Sequence, residues 1–188
     1  MSEFQVHDLA SAPASSQPEL ARVRKKYGFL PNLAGVLAES PAALEGYFAI
    51  GDIFEKSSFS HTEKQIVLLT ASYENQCHYC VAAHSTIAGM LKVSDHIVAA
   101  LRDGAPLPDA KLEALRSFTR SLVVNRGWAE ERELEAFYEA GYTKAQALEV
   151  IVGIAMKTIS NYTNHLSETP VDDAFAANAW EVPAATGA

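Results

Sequence analysis

Residues 60–92 read SHTEKQIVLLTASYENQCHYCVAAHSTIAGMLK. Ser60 followed by Glu63 fits a capping box, in which two side chains reciprocally satisfy free backbone N–H groups at a helix start. The apolar run IVLL follows, so the pattern predicts a helix over SHTEKQIVLLTASYEN, interrupted by Asn75 and Gln76. A second helical pattern, CHYCVAAHSTIAGMLK, starts at Cys77. Cys77 and Cys80 are the only cysteines of the chain, and His84 stands four positions after the second.

The same periodicity extends outward in both directions. Pro18 opens and Gly28 closes a short helix, PELARVRKKYG. FLPNLAGVLAESP follows, punctuated by Pro31 and Pro41. Leu44, Phe48, Ile53 and Phe54 mark an amphipathic helix in PAALEGYFAIGDIFEKSS. Downstream, Ser94 caps SDHIVAALRDG and Gly104 stops it; APLPDAK is a proline-bearing connector. Leu112, Leu115, Phe118 and Leu122 share one face of the next helix, and AEERELEAFYEAG forms another. TKAQALEVIVGIAMKTISNYTNHL is the longest apolar pattern and reads as a buried helix. Its polar end, NYTNH, places Asn161, Asn164 and His165 either at a pocket entrance or interface or on a plain polar helix end. β-branched residues sit inside helix-period patterns, so strands are not expected. The expectation is an all-α fold of about eight helices in a single-domain bundle over residues 18–175. A flexible arm over residues 1–17 precedes it and a tail over 176–188 follows. The helices on either side of APLP would form two lobes of that domain.

Composition narrows the function classes. A net charge of −8 argues against a nucleic-acid surface, which needs a basic patch, and against a polybasic membrane anchor. No apolar run reaches the roughly 18–20 residues that span a bilayer. The first twenty residues lack the apolar core of a secretory signal. Two cysteines are too few for a secreted disulfide scaffold, so the cytoplasm is the expected compartment. There a CxxC pair is more often catalytic or metal-binding than structural.

Spacings of three and four residues put Cys77, Cys80 and His84 on one helix face. The two Cα atoms would lie roughly 5–6 Å apart, within disulfide range. A base near a thiol promotes the thiolate, and a second thiol one turn away resolves a sulfenic acid before over-oxidation. The helix N-terminus favours Cys77 as the attacking thiol, and nearness to His84 favours Cys80. Structural zinc wants four protein ligands, and only one CxxC is present, with His78, His84 and His165 the other possible donors. Two inert core thiols are the remaining alternative.

CHYCVAAH, preceded by E-x-Q-I-V-L-L-T-A-S, resembles the core of the alkyl hydroperoxidase D / carboxymuconolactone decarboxylase superfamily. GFLPNLAGVLAESPAALEGYF and ISNYTNHLSETPVDDAF resemble its uncharacterised peroxidase-related members, so the likeness covers roughly residues 20–175. The resemblance implies an all-α fold with the cysteine pair opening a central helix, and a thiol peroxidase that reduces alkyl hydroperoxides or hydrogen peroxide. It implies that Cys80 attacks peroxide, Cys77 resolves it to a disulfide, and His84 serves a proton relay. It further implies a cellular dithiol reductant and homo-oligomers, trimers or hexamers, with no cofactor or metal. One departure stands out: the relay glutamate expected twelve residues before the first cysteine is Gln65 here. Glu74, three residues before Cys77, is the nearest acid: it would either take over the relay by bonding His84 or a water, or stand as a solvated acid near a helix end. Tyr79 would donate a hydroxyl to the site or simply pack, and His78 would face away. A redox sensor, or a decarboxylase-type enzyme that does not use the cysteines, would fit the same fold.

Overall fold

The computed structural model describes residues 4–183. Nine α-helices are formed there: α1 (Gln17–Tyr27), α2 (Asn32–Leu37), α3 (Pro41–Phe54), α4 (His61–Glu74), α5 (His78–Met90), α6 (Asp95–Arg102), α7 (Ala110–Val124), α8 (Glu131–Glu139) and α9 (Lys144–Ser167). A 3₁₀ helix follows over Asp173–Asn178, and no strand occurs among the described residues. The all-α expectation holds. FLPNLAGVLAESP contains one helix more than its prolines suggested, because Pro31 sits at the N-cap of α2, where its missing N–H costs nothing.

α4 is the central element. Every residue from 64 to 72 is buried, so the helix has no solvent face of its own over that span. The Ser60–Glu63 capping box is present, and Glu63 also accepts from the Tyr142 hydroxyl at 2.9 Å. α4 packs on α5, α7 and α9, which places it in contact with both halves of the chain. Phe54, Ile66, Leu69, Leu115, Phe118, Phe137 and Val150 belong to one continuous core. The two lobes expected around APLP are therefore one body. Phe137 is wedged between Phe118 and Tyr142, with ring centroids 4.4 and 4.6 Å away.

The two terminal segments differ from expectation. Residues 4–16 are irregular but docked: the His7 N–H donates to Gly35 O at 3.2 Å, His7 pairs with Glu39 at 2.7 Å, and Ser16 donates to Ala38 O. A Cβ at Gly35 would stand 2.6 Å from the His7 carbonyl, so only glycine lets the arm lie this close. At the other end Trp180 is buried, and its indole donates to Arg102 O at 2.8 Å. The Arg102 guanidinium in turn donates to the carbonyls of Asn178 and Ala179. Low periodicity hid both segments, since they are held by backbone hydrogen bonds and single aromatic anchors. Residues 1–3 and 184–188 of the expected arm and tail lie outside the described residues. No described helix is long and apolar enough to cross a membrane.

Candidate active site

The cysteine pair sits at a sharp junction. α4 ends in a Schellman motif: the Gln76 N–H bonds Tyr73 O at 2.8 Å and the Cys77 N–H bonds Ser72 O at 2.9 Å. The turn residue, Gln76, adopts φ 56°, which usually calls for glycine. Cys77 is then the N-cap of α5, and Cys80 falls in its first turn. Both thiols are free and buried. The first turn of a helix has unpaired N–H groups and positive potential, which favours an anion there.

α9 runs across this junction and supplies the groups that face the sulfurs. Asn164 Nδ2 donates to Cys80 Sγ at 3.2 Å and to Cys77 Sγ at 3.6 Å. Ser160 Oγ lies 3.6 Å from Cys80 Sγ. One turn earlier stands Lys157, fully buried, its Nζ without a hydrogen-bond partner of ordinary geometry. Its charge nevertheless reaches the pair. Burial alone would push the Cys80 thiol up. The Cys77 hydrogen bond, the Lys157 charge and Ser160 outweigh that and hold Cys80 well below the usual thiol range. The hydrogen bond to Cys80, together with burial, drives the Cys77 thiol the other way. The helix terminus favours an anion at Cys77, whereas Cys77 itself and, from α9, Lys157 and Ser160 favour it at Cys80.

His84 points its Nδ1 at Gln65 Oε1, 3.1 Å away. With the amide oxygen accepting, the ring carries its proton on Nδ1 and leaves Nε2 as an acceptor. Burial and the Lys157 charge hold its pKa well below the ordinary histidine value, so the ring is neutral at pH 7. Glu74 does not join it: the expectation that this acid replaces the relay glutamate is corrected. Glu74 forms an ion pair with Arg120 at 3.1 Å, because the last turn of α4 carries it toward α7. Gln65 keeps the position beside His84. Tyr79 accepts from the Leu33 N–H at 3.3 Å and donates to Asp172, which also receives the Asn32 N–H. His78 faces away and bonds Trp180 O at 3.0 Å. Asn161 accepts from Asn75 at 2.9 Å, and His165 is exposed.

A cavity of about 310 Å³ opens onto this cluster. Cys80, His84, Gln65 and Lys157 line it; Cys77 does not. Its other walls are mainly apolar and aromatic, among them Phe29, Tyr47, Phe48, Phe54 and Met156. Among the described residues, no three His, Cys, Asp or Glu side chains gather so as to hold a metal ion. Lys157 and Ser160 were missed in the sequence. A signal for Lys157 existed: it is in phase with Val150, Gly153 and Asn164 on the buried stripe of α9, where a solvated lysine has no place.

Residues 41–119 match the carboxymuconolactone decarboxylase family. No curated protein matches the chain. Among solved structures, an uncharacterised peroxidase-related protein with an alkylhydroperoxidase AhpD core, from Ralstonia eutropha JMP134, is 24% identical with a TM-score of 0.79, covering 93% of this chain and 94% of its own. An uncharacterised peroxidase-related protein from Silicibacter sp. TM1040 is 18% identical with a TM-score of 0.76, covering 92% of each chain. The debrominase Bmp8, as a cysteine-to-alanine variant in complex with 2,3,4-tribromopyrrole, is 17% identical with a TM-score of 0.78, covering 95% of this chain and 97% of its own. Over residues 41–119 the chain is thus similar to the carboxymuconolactone decarboxylase family, and over nearly its whole length it shares the fold of the AhpD-core, peroxidase-related structures.

Proposed function

We propose that the protein is a thiol-dependent peroxidase that cycles Cys77 and Cys80 between dithiol and disulfide. The observation that carries this reading is the asymmetry of the pair: Cys80 lines the cavity and favours the thiolate, while Cys77 lies behind it and stays protonated. A thiolate is the form that attacks peroxide. Attack leaves a sulfenic acid on Cys80 and expels an alcohol or water. The Cys80 anion is consumed in that step, so the interaction that held the Cys77 proton disappears. Cys77 then condenses with the sulfenic acid, releasing water and forming the disulfide. A cellular dithiol restores the pair, which suits a reducing compartment such as the cytoplasm.

Peroxide added to the reduced protein should consume both thiols, with cumene hydroperoxide and hydrogen peroxide compared by stopped flow. Cys80→Ser should abolish the reaction, and Cys77→Ser should stall it as a sulfenic acid that dimedone labels. A dimedone adduct appearing only in Cys80→Ser would reverse the two roles, and equal slow oxidation in every variant would end the reading. The volume and apolar, aromatic lining of the cavity favour a second reading, reductive dehalogenation of an aromatic halide by the same pair. Bromide release from a bromopyrrole, coupled to disulfide formation, distinguishes it.

We further propose that the protein is a homo-oligomer that covers the outer face of α9. Leu148, Ile151, Tyr162 and Leu166 are exposed along one stripe, opposite the stripe that faces the cysteines.

A further inference from the structure

We propose that Cys80 and Lys157 form a thiolate–ammonium pair, and that Lys157, in place of a glutamate–histidine relay, carries the proton of the reaction. The geometry has three parts. Lys157 is fully buried on the stripe of α9 that also carries Ser160 and Asn164, the two residues that contact Cys80 Sγ. Its Nζ finds no ordinary hydrogen-bond partner, although a buried ammonium needs a counter-charge. Both Lys157 and Cys80 open onto the one cavity.

The other charged groups around the cavity are already committed. Asp52, on α3, is bound by Arg22 and Lys26 of α1 at 3.0 and 2.6 Å. Glu55, just after α3, pairs with Lys64 of α4 at 3.4 Å, and Lys64 also donates to the Glu55 carbonyl. Tyr47 of α3 is held neutral by burial. On α5, the Tyr79 hydroxyl is bound to Asp172, Cys77 stays protonated, and His84 is neutral against the Gln65 amide. The thiolate of Cys80 is the anion left for Lys157. His84 lacks the carboxylate that would make it a strong base, since Gln65 occupies that place.

The proton balance follows. The Cys80 thiolate attacks one peroxide oxygen; an S–O bond forms and the O–O bond breaks. The leaving alkoxide takes a proton from the Lys157 ammonium and departs as the alcohol. Cys77 condenses with the sulfenic acid, forming the disulfide and water. A dithiol then reduces the disulfide; one of its protons stays on Cys77 and the other returns to Lys157, which restores the pair.

This inference rests on Cys80 being the reacting thiol. Its test reads titration rather than turnover, so failure of the peroxidase reading leaves a separate signature. Site-resolved alkylation of the reduced full-length protein by iodoacetamide, followed against pH, should give Cys80 a midpoint below the ordinary thiol value of about 8.5. Lys157→Met should raise that midpoint by about two pH units or more, roughly a hundredfold loss of thiolate at neutral pH. Lys157→Arg should restore most of it, and His84→Gln should leave it nearly unchanged. An unshifted midpoint in Lys157→Met, or an equal shift in His84→Gln, overturns the proposal. Should Lys157→Met fail to fold, the ultraviolet thiolate absorbance of the wild type decides: its absence at pH 7 overturns the proposal, and its presence together with a rising midpoint in Lys157→Gln supports it.

Discussion

His84 is neutral because it is buried beside a cation, and this has a pH consequence. An unfolded histidine titrates near pH 6.5, while the folded one titrates well below that. Between those values the unfolded chain binds the extra proton. The stability contributed by a neutral His84 is therefore complete above about pH 6.5 and declines as pH falls toward the folded value, by at most about 1.4 kcal/mol per pH unit. Calorimetric melting from pH 7.5 to 5.5 should show this slope, and His84→Gln should flatten it; parallel slopes in the two proteins would exclude His84 as the source. The cluster of Cys77, Cys80 and His84 was legible at this scale, since spacings of three and four residues bring side chains to one side of a helix. Glu74 was misread because three residues before Cys77 is close in sequence but lies across a chain reversal. The turn at Gln76 sends α5 away while Glu74 stays with α4 and Arg120.

The decisive element is α9, whose two faces have different tasks. Its buried stripe begins apolar at Val150 and turns polar from Lys157 onward, so one helix serves first as core and then as site lining. Gly153 is where α9 comes closest to its neighbours: an added Cβ would stand 2.8 Å from Val67 and 2.9 Å from the Phe54 ring. Gly153→Ala should cost about 1–3 kcal/mol through overpacking, read as a lower thermal midpoint. The same variant should also disturb Cys80 alkylation, because Lys157 lies one turn further along the same stripe. An unchanged midpoint would mean that Val67 and Phe54 move aside freely. Apolar period and end signals made the helices themselves visible, down to the capping box at Ser60. Which face of α9 would meet the cysteines was invisible, because nothing local distinguishes a polar helix end in solvent from one over a buried pair.

At the scale of the molecule, the unpartnered stripe of α9 predicts association. Leu148→Glu combined with Ile151→Glu places two charges on that stripe, remote from the cavity lining. Light scattering should then show a smaller assembly than the wild type, with helical content retained; equal masses would place the interface elsewhere. The docked ends belong to this scale too. His7, Ser16 and Trp180 each hold an irregular segment to the helical body through contacts far apart in sequence.

By itself the sequence determined the all-α class, most helix boundaries and the grouping of Cys77, Cys80 and His84 around one helix start, because periodicity, caps and spacing are local properties of the chain. Only the tertiary structure decided which thiol faces the cavity, that Gln65 and not Glu74 meets His84, and that a buried lysine from α9 lines the same cavity as Cys80. Burial and charge at a sulfur depend on which helix crosses it, and α9 crosses Cys80 from about eighty residues further along the chain.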